Sequence, residues 1–421
     1  MAHQLQYSNS VPERGLLVGV YSSKRNLPGQ KVSIEELMRL AQTAGVVVSA
    51  RKLQELRSPV PATFIGKGGA ENLAREIQEG NYDVVLFDED LTPTQNRNLE
   101  KILGVKVIDR TGLILDIFAR RARSSEGKIQ VELAQLNYLL PRLAGRGKEF
   151  SQLAGGIGTR GPGETRLEMD RRKARLRISL LQRSLEKVQA HRELHRKKRA
   201  EVPIPMIALV GYTNAGKSTL MNRLTDAGVL VEDKLFATLD PTVRRLKLPS
   251  GREALLADTV GFVRKLPHQL VEAFHATFEE VASAELLIHL IDVSHPHVKE
   301  QTTVVSQVLE QLELHRKPVL RVFNKIDQNS HEPVVPFERG DLFVSALTGE
   351  GIERLLEAIE EKLSRSFRHL SICLPHGTGS ELSLLYRTSR ILKREDRQDG
   401  VHLEVELDDK YYNKFRQYHS P

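Results

Sequence analysis

Gly211-Tyr212-Thr213-Asn214-Ala215-Gly216-Lys217-Ser218-Thr219 follows directly on the apolar run Pro205-Met206-Ile207-Ala208-Leu209-Val210. The run reads as a buried strand, and a helix is predicted to start near Lys217 and carry Leu220, Met221 and Leu224. Between strand and helix, G-x-x-x-x-G-K-S is a phosphate loop. Glycines at 211 and 216 let the backbone curl until several N–H groups face one anion, to which the helix N-terminus adds partial positive charge. Lys217 can reach terminal phosphates, and the Ser218 hydroxyl is placed to ligate Mg2+. Asn214, Ala215 and Thr219 complete the expected cradle.

Three further pieces follow in the order a nucleotide-hydrolysing domain needs. Glu253–Ala257 reads as a strand delivering Asp258-Thr259-Val260-Gly261. There Asp258 can hold the metal through water, and the Gly261 N–H can bond a γ-phosphate. Val319–Phe323 ends in Asn324-Lys325-Ile326-Asp327. A carboxylate at 327 accepts two hydrogen bonds from guanine and would be left unpaired by adenine, so the motif selects the base. Asn324 and the Lys325 stem flank the ring, and the backbone of Ser345, Ala346 and Leu347 reaches the base oxygen. Between the first helix and the Asp258 strand lies Lys234–Arg244, where Thr238 is the expected partner of both metal and γ-phosphate, with Thr242 as alternative. Lys217, Thr238 and Gly261 are thus the expected catalytic residues. Position 262, where many GTPases carry a water-orienting glutamine, is Phe262. Unassisted hydrolysis is therefore expected to be slow.

Phe236–Thr242, Asp258–Pro267 and Ala273–Glu280 resemble the switch segments of the HflX family, GTPases that bind the ribosome. A glycine-rich segment upstream resembles it too, so the likeness covers most of the chain and is weakest over the last fifty or so residues.

The whole chain, 421 residues, carries net charge +8 and suits polyanionic partners. Its single Cys373 excludes a disulfide framework and any cysteine zinc site. Neither a signal peptide nor an apolar run of membrane length is present, and a cytoplasmic protein without a DNA partner, acting as a monomer, is expected.

The predicted fold class is α/β: an N-terminal parallel α/β domain (1–122), an antiparallel helical hairpin with a glycine-rich tip (123–202), a P-loop GTPase domain (203–366) and a small C-terminal α+β domain (367–421). In the first, Ser33 is expected to cap a helix, and Gly66–Gly69 reads as a strand-to-helix turn or a second phosphate site. In the hairpin, Ile129, Leu133, Leu136, Leu140 and Leu143 form one stripe, and Ala174, Ile178, Leu181, Leu185 and Val188 another. Residues 144–164 between them lack apolar periodicity and are flanked by Arg142, Arg146, Lys148, Arg160 and Arg166. Gly155, Gly156, Gly158, Arg160, Gly161 and Arg166 are expected to contact RNA. From Arg166 to Arg199 thirteen Lys or Arg stand against four acids, an imbalance that also suits phosphates. In the last domain a βαβ unit is predicted, with a helix near 380–393; Tyr411, Tyr412, Phe415 and Tyr418 are expected to pack on it rather than stack on bases.

The HflX resemblance implies a GTP-bound state that docks on the large ribosomal subunit, splits or rescues stalled or idle ribosomes, and is released by hydrolysis to GDP and phosphate. A ribosome assembly GTPase and an ATP-driven RNA remodeller using Gly66–Gly69 are the alternatives the residues leave open.

Overall fold

The structure, a computed structural model, describes residues 12–142, 162–199, 204–225, 235–236, 239–240, 242–265, 267, 281–328, 337–364 and 367–420. Two compact units divide the chain. The first comprises residues 1–185, 233–239 and 264–274, and the second the remainder.

In the first unit, β1 (Arg14–Tyr21), β2 (Val47–Glu55), β3 (Val84–Phe87) and β4 (Lys106–Asp109) form a parallel sheet in the order β2-β1-β3-β4. All four residues of β3 are buried, as expected of a central parallel strand. Connecting them are α1 (Leu27–Thr43), α2 (Lys67–Gly80) and α3 (Pro93–Leu103). The start of α3 is set by a capping box between Thr92 and Gln95, with proline in the first turn. Two expectations need correction here. Helix α1 starts at Leu27, with Pro28 in its first turn, well before Ser33, which lies buried inside the helix and donates to Asp88. Within Gly66–Gly69, expected as a strand-to-helix turn, only Gly66 precedes the helix, as its N-cap, and Lys67–Gly69 already form the first turn of α2.

Helix α4 (Arg110–Arg121) was not foreseen. Leu113, Ile114, Leu115, Ile117 and Phe118 are all buried, so its apolar positions cover too much of the surface to show one clean stripe. Helix α5 (Ser125–Arg142) buries Gln130, Val131 and Ala134, while the predicted stripe through Ile129, Leu133, Leu136 and Leu140 is half-buried. In α6 (Pro162–Arg199) the second stripe holds well: Leu181 is buried, and Ala174, Ile178, Leu185 and Val188 are half-buried beside exposed neighbours. Arg177 of α6 grips Glu132 of α5 through two bonds, 2.7 and 2.8 Å.

In the second unit, β5 (Met206–Gly211), β6 (Thr242–Lys247), β7 (Glu253–Asp258), β8 (Leu286–Asp292), β9 (Val319–Asn324) and β10 (Leu342–Phe343) form a sheet in the order β10-β9-β8-β5-β7-β6. Only β6 runs antiparallel to its neighbour. Strand β8 is buried along its whole length. Helices α7 (Lys217–Thr225), α8 (Val298–Gln311) and α9 (Ile352–Ser364) follow β5, β8 and β10. A core of Ile207, Leu209, Leu220, Ile288, Val322 and Leu355 holds strands to helices.

The C-terminal part of the same unit is an antiparallel sheet of β11 (Phe367–Leu374), β12 (Ser389–Arg397) and β13 (Gly400–Asp408), order β11-β13-β12. The predicted helix over 380–393 is half helix, α10 (Gly379–Thr388), and half strand. The expected βαβ unit is therefore βαββ, because the two-residue turn Gln398-Asp399 brings β12 back onto β13 as a hairpin. Helix α11 (Asp409–Phe415) packs Phe415 into the core, with Tyr411, Tyr412 and Tyr418 half-buried beside it, the packing expected of these aromatics.

Candidate nucleotide site

Each predicted nucleotide residue on a strand end falls at the same edge of the second sheet. Gly211 closes β5, Asp258 closes β7 and Asn324 closes β9, three parallel strands whose carboxyl ends make the crevice of an open α/β sheet. Gly211 is required by close approach: a Cβ there would lie 2.4 Å from the Leu290 carbonyl oxygen. Gly216 is required by its φ of +95° and by Asn324, whose Nδ2 would lie 2.3 Å from an added Cβ. Asn214 also takes positive φ, 64°, a conformation that asparagine tolerates better than most residues.

Lys217 begins α7, and its Nζ donates to the carbonyls of Gly211 at 3.1 Å and Tyr212 at 2.8 Å. Burial lowers this lysine to about 8, opposed by the Asp258 carboxylate. The Ser218 hydroxyl donates to Asp258 Oδ2 at 2.7 Å. These are two hard oxygen donors, one on a wholly buried carboxylate, and the set fits Mg2+. Thr219 sits half-buried in the first turn of α7. Gly261 is packed against the loop, an added Cβ there meeting Thr213 Cα at 2.8 Å and Lys217 Nζ at 2.9 Å. Phe262 is buried and bridges Tyr212, donating its N–H to the Gly211 carbonyl and accepting from the Thr213 N–H.

The base-reading motif is tied to this cradle. Asn324 donates from Nδ2 to the Ala215 carbonyl at 2.8 Å and accepts from the Ala346 N–H at 3.0 Å. Asp327 is exposed, and its Oδ1 accepts from the Ser345 hydroxyl at 2.5 Å. Lys325, with φ 67°, pairs with Asp292 at 2.7 Å. Ser345 and Ala346 are buried, and Leu347 is exposed.

Two further residues shape the site. Arg223 on α7 donates to the Ala346 carbonyl at 3.2 Å and to the Leu347 carbonyl, holding the expected base-oxygen loop. That link spans more than a hundred positions and leaves no local signal. Asp292 ends β8, a strand end as plain as those before 258 and 324, and its position could have flagged it. His289, also on β8, is lowered to about 3 by burial, Arg321 and Lys217, and is neutral at physiological pH.

Thr238 lies outside the described residues, as do Gly155, Gly156, Gly158, Arg160 and Gly161. Arg166 is described only as backbone in α6. The alternative Thr242 opens β6 opposite Asp258. Arg142 does not stand free at the tip as expected: it pairs with the buried Asp109 at 2.8 Å. Away from the site, Cys373, Asp399 and His402 bring donor atoms within 4.8 Å of one another, a cluster that the cysteine count gave no reason to expect.

A mostly parallel six-stranded sheet carrying a phosphate loop and a guanine motif on adjoining strand ends is the architecture of a P-loop GTPase. Family models match in series: "GTP-binding GTPase N-terminal" over residues 31–119, "GTP-binding GTPase Middle Region" over 121–199, "50S ribosome-binding GTPase" over 206–325 and "HflX C-terminal domain" over 338–416. The chain is 49% identical over 395 residues to GTPase HflX of Caldanaerobacter subterraneus subsp. tengcongensis, covering 94% of this chain and 91% of that one. It is 44% identical over 401 residues to GTPase HflX of Escherichia coli, covering 94% and 93%. The chain belongs to the HflX family of GTPases. No helix among the described residues is long and apolar enough to cross a membrane.

Proposed function

We propose that this GTPase binds the large ribosomal subunit in its GTP state, splits or rescues stalled or idle ribosomes in the cytoplasm, and is released on hydrolysis. The observation that carries the reading is the match of residues 206–325 to a ribosome-binding GTPase model across the segment that joins the cradle to Asn324. In this reading Lys217 and the loop amides of Asn214–Thr219 bind the phosphates, and Asp327 with the Ser345–Leu347 backbone reads guanine. Ser218 and Thr238 hold Mg2+, with Asp258 acting through water. When bound, that ion neutralises charge on the β- and γ-phosphates. Gly261 offers its N–H to the γ-phosphate. Gly155, Gly156, Gly158, Arg160, Gly161 and Arg166 meet ribosomal RNA, where small residues allow close backbone approach.

The test is steady-state hydrolysis of GTP and of ATP, with and without purified large subunits, at two salt concentrations. A GTP-specific stimulation that fades with salt supports the reading. GTP turnover unaltered by large subunits overturns it.

A further inference from the structure

We infer that Arg110 and Lys265 are positioning residues, and that helix α4 couples the segment after Gly261 to the root of the tip-bearing arm. The ribosomal half of this inference rests on the reading above; the coupling itself does not. Residues 233–239 and 264–274 belong to the first unit, so the chain passes into it within three residues of Gly261. What receives it there is a buried charge cluster. Asp88, at the carboxyl end of β3, is wholly buried and accepts from Arg110 at 2.7 Å, Ser33 at 2.7 Å, Gln30 at 2.8 Å and Lys265 at 2.6 Å. Lys265 also meets Glu89 at 2.6 Å, and Arg110, only 1% exposed, donates to Glu36 and, at 3.0 Å, to the carbonyl of Arg264. Lys265 is held with φ 52°, a conformation few non-glycine residues adopt unaided.

The residue before Arg110 performs the same office for the arm. Asp109, the N-cap of α4, accepts from Tyr138 at 2.7 Å and from Arg142 at 2.8 Å, and Arg142 lies 3.5 Å from the Tyr138 ring centroid. Arg142 ends α5, where the chain leaves for the glycine-rich tip. Two turns along α4, Phe118 meets Phe236 edge to face at 4.7 Å, two residues before Thr238. One helix thus grips both nucleotide-sensing segments and the arm. A cluster serving stability alone would do as well or better with apolar packing, because desolvating the ions is costly. Charged groups suit a device with two arrangements, and coupling through α4 must run both ways in binding: nucleotide alters the arm's affinity for its partner, and an engaged arm alters nucleotide affinity by the same factor.

The test is hydrogen–deuterium exchange on the full chain with Mg2+ and either GDP or a non-hydrolysable GTP analogue, following peptides over 109–121 and 134–142. Wild type is expected to show nucleotide-dependent protection in both. Lys265→Met should keep analogue affinity within about threefold yet lose the difference at 134–142, and Lys265→Arg should restore it. Arg142→Met should leave analogue affinity without subunits unchanged but cut about tenfold the gain in analogue affinity that purified large subunits confer on wild type. A difference at 134–142 that survives Lys265→Met, or is missing from wild type, overturns the coupling. Should wild type show the exchange difference but no stimulation by large subunits, the coupling stands and the ribosomal reading falls.

Discussion

Asn324 and Ala215 are joined by a 2.8 Å hydrogen bond from the asparagine amide to the loop carbonyl, so the residue that opens the base motif also braces the phosphate loop. The same side chain holds the Ala346 N–H, and the segments proposed to read the base and bind phosphate share one buried support. Asn324→Ala would leave a carbonyl and an amide without partners. Affinity for GDP is expected to fall about 10–100-fold, the cost of roughly 1–3 kcal/mol for orphaned buried polar groups. Titration with a fluorescent GDP checks this, and an unaltered Kd would remove the brace from the account.

Asp327→Asn should change the preferred base. The carboxylate, steadied by Ser345, can accept two bonds from guanine, whereas the amide offers one donor and one acceptor and suits xanthine. GTP affinity is expected to fall about a hundredfold or more, with XTP gaining. Competition between the two nucleotides for a fluorescent analogue measures it, and retained preference for GTP would count against Asp327 as the reader.

Gly261→Ala should separate binding from hydrolysis. The added methyl would press on Thr213 Cα and Lys217 Nζ, at 2.8 and 2.9 Å. The glycine must move out of γ-phosphate reach, so GTP turnover is expected to drop at least about tenfold while GDP affinity changes less. Single-turnover kinetics beside GDP titration separate the two effects.

Nucleotide affinity should depend on alkaline pH through Lys217. Burial brings its ammonium to about 8. Phosphates raise it again, so binding takes up a proton wherever the free lysine has lost one. Affinity is expected to be level below that pH and to weaken above it, by up to about tenfold per pH unit. Calorimetry in buffers of different ionisation enthalpy reads the proton directly, and the absence of proton uptake at alkaline pH would exclude the depressed lysine.

Asp88→Asn should destabilise the first unit by about 3 kcal/mol, because Arg110 and Lys265 lose a wholly buried carboxylate partner and keep Glu36 and Glu89. The pH dependence has a definite sign. Burial alone would raise Asp88, but Arg110 and then Lys265 outweigh it and leave the carboxyl below its ordinary 3.8. Its stabilisation is present above that value and lost as pH falls through the lower folded one. Urea unfolding at neutral and acid pH should show this acid loss in wild type and not in the variant.

The geometry of the candidate nucleotide site was legible because its parts are local: a strand, a turn whose glycines are forced by Leu290 and Asn324, and a helix starting at Lys217. The stripe Ala174–Val188 was legible for the same reason, a repeat confined to one element. What escaped notice depends on distant partners. Arg223 looks like any basic residue in a helix's last turn until the Ala346 carbonyl is placed beside it. Ser33 looked like a cap because a hydroxyl before a periodic run usually is one, whereas its partner Asp88 lies on another strand. Strand β12 was read as helix because Ile391-Leu392-Lys393-Arg394 carries no clear alternation, and the turn that pairs it with β13 comes only afterwards.

Phe262 gives the chain's clock its character. It is buried, and its backbone bridges the phosphate loop at Tyr212, so the position is spent on holding the loop in shape. Installing a glutamine there would bury an amide at a cost of roughly 1–3 kcal/mol before it touched any water. Any gain in hydrolysis from a glutamine at this position is therefore expected to be offset in part by that cost. The water-orienting group is then expected from another part of the chain or from a partner, and the timer would be wound at the phosphate loop and stopped from outside position 262.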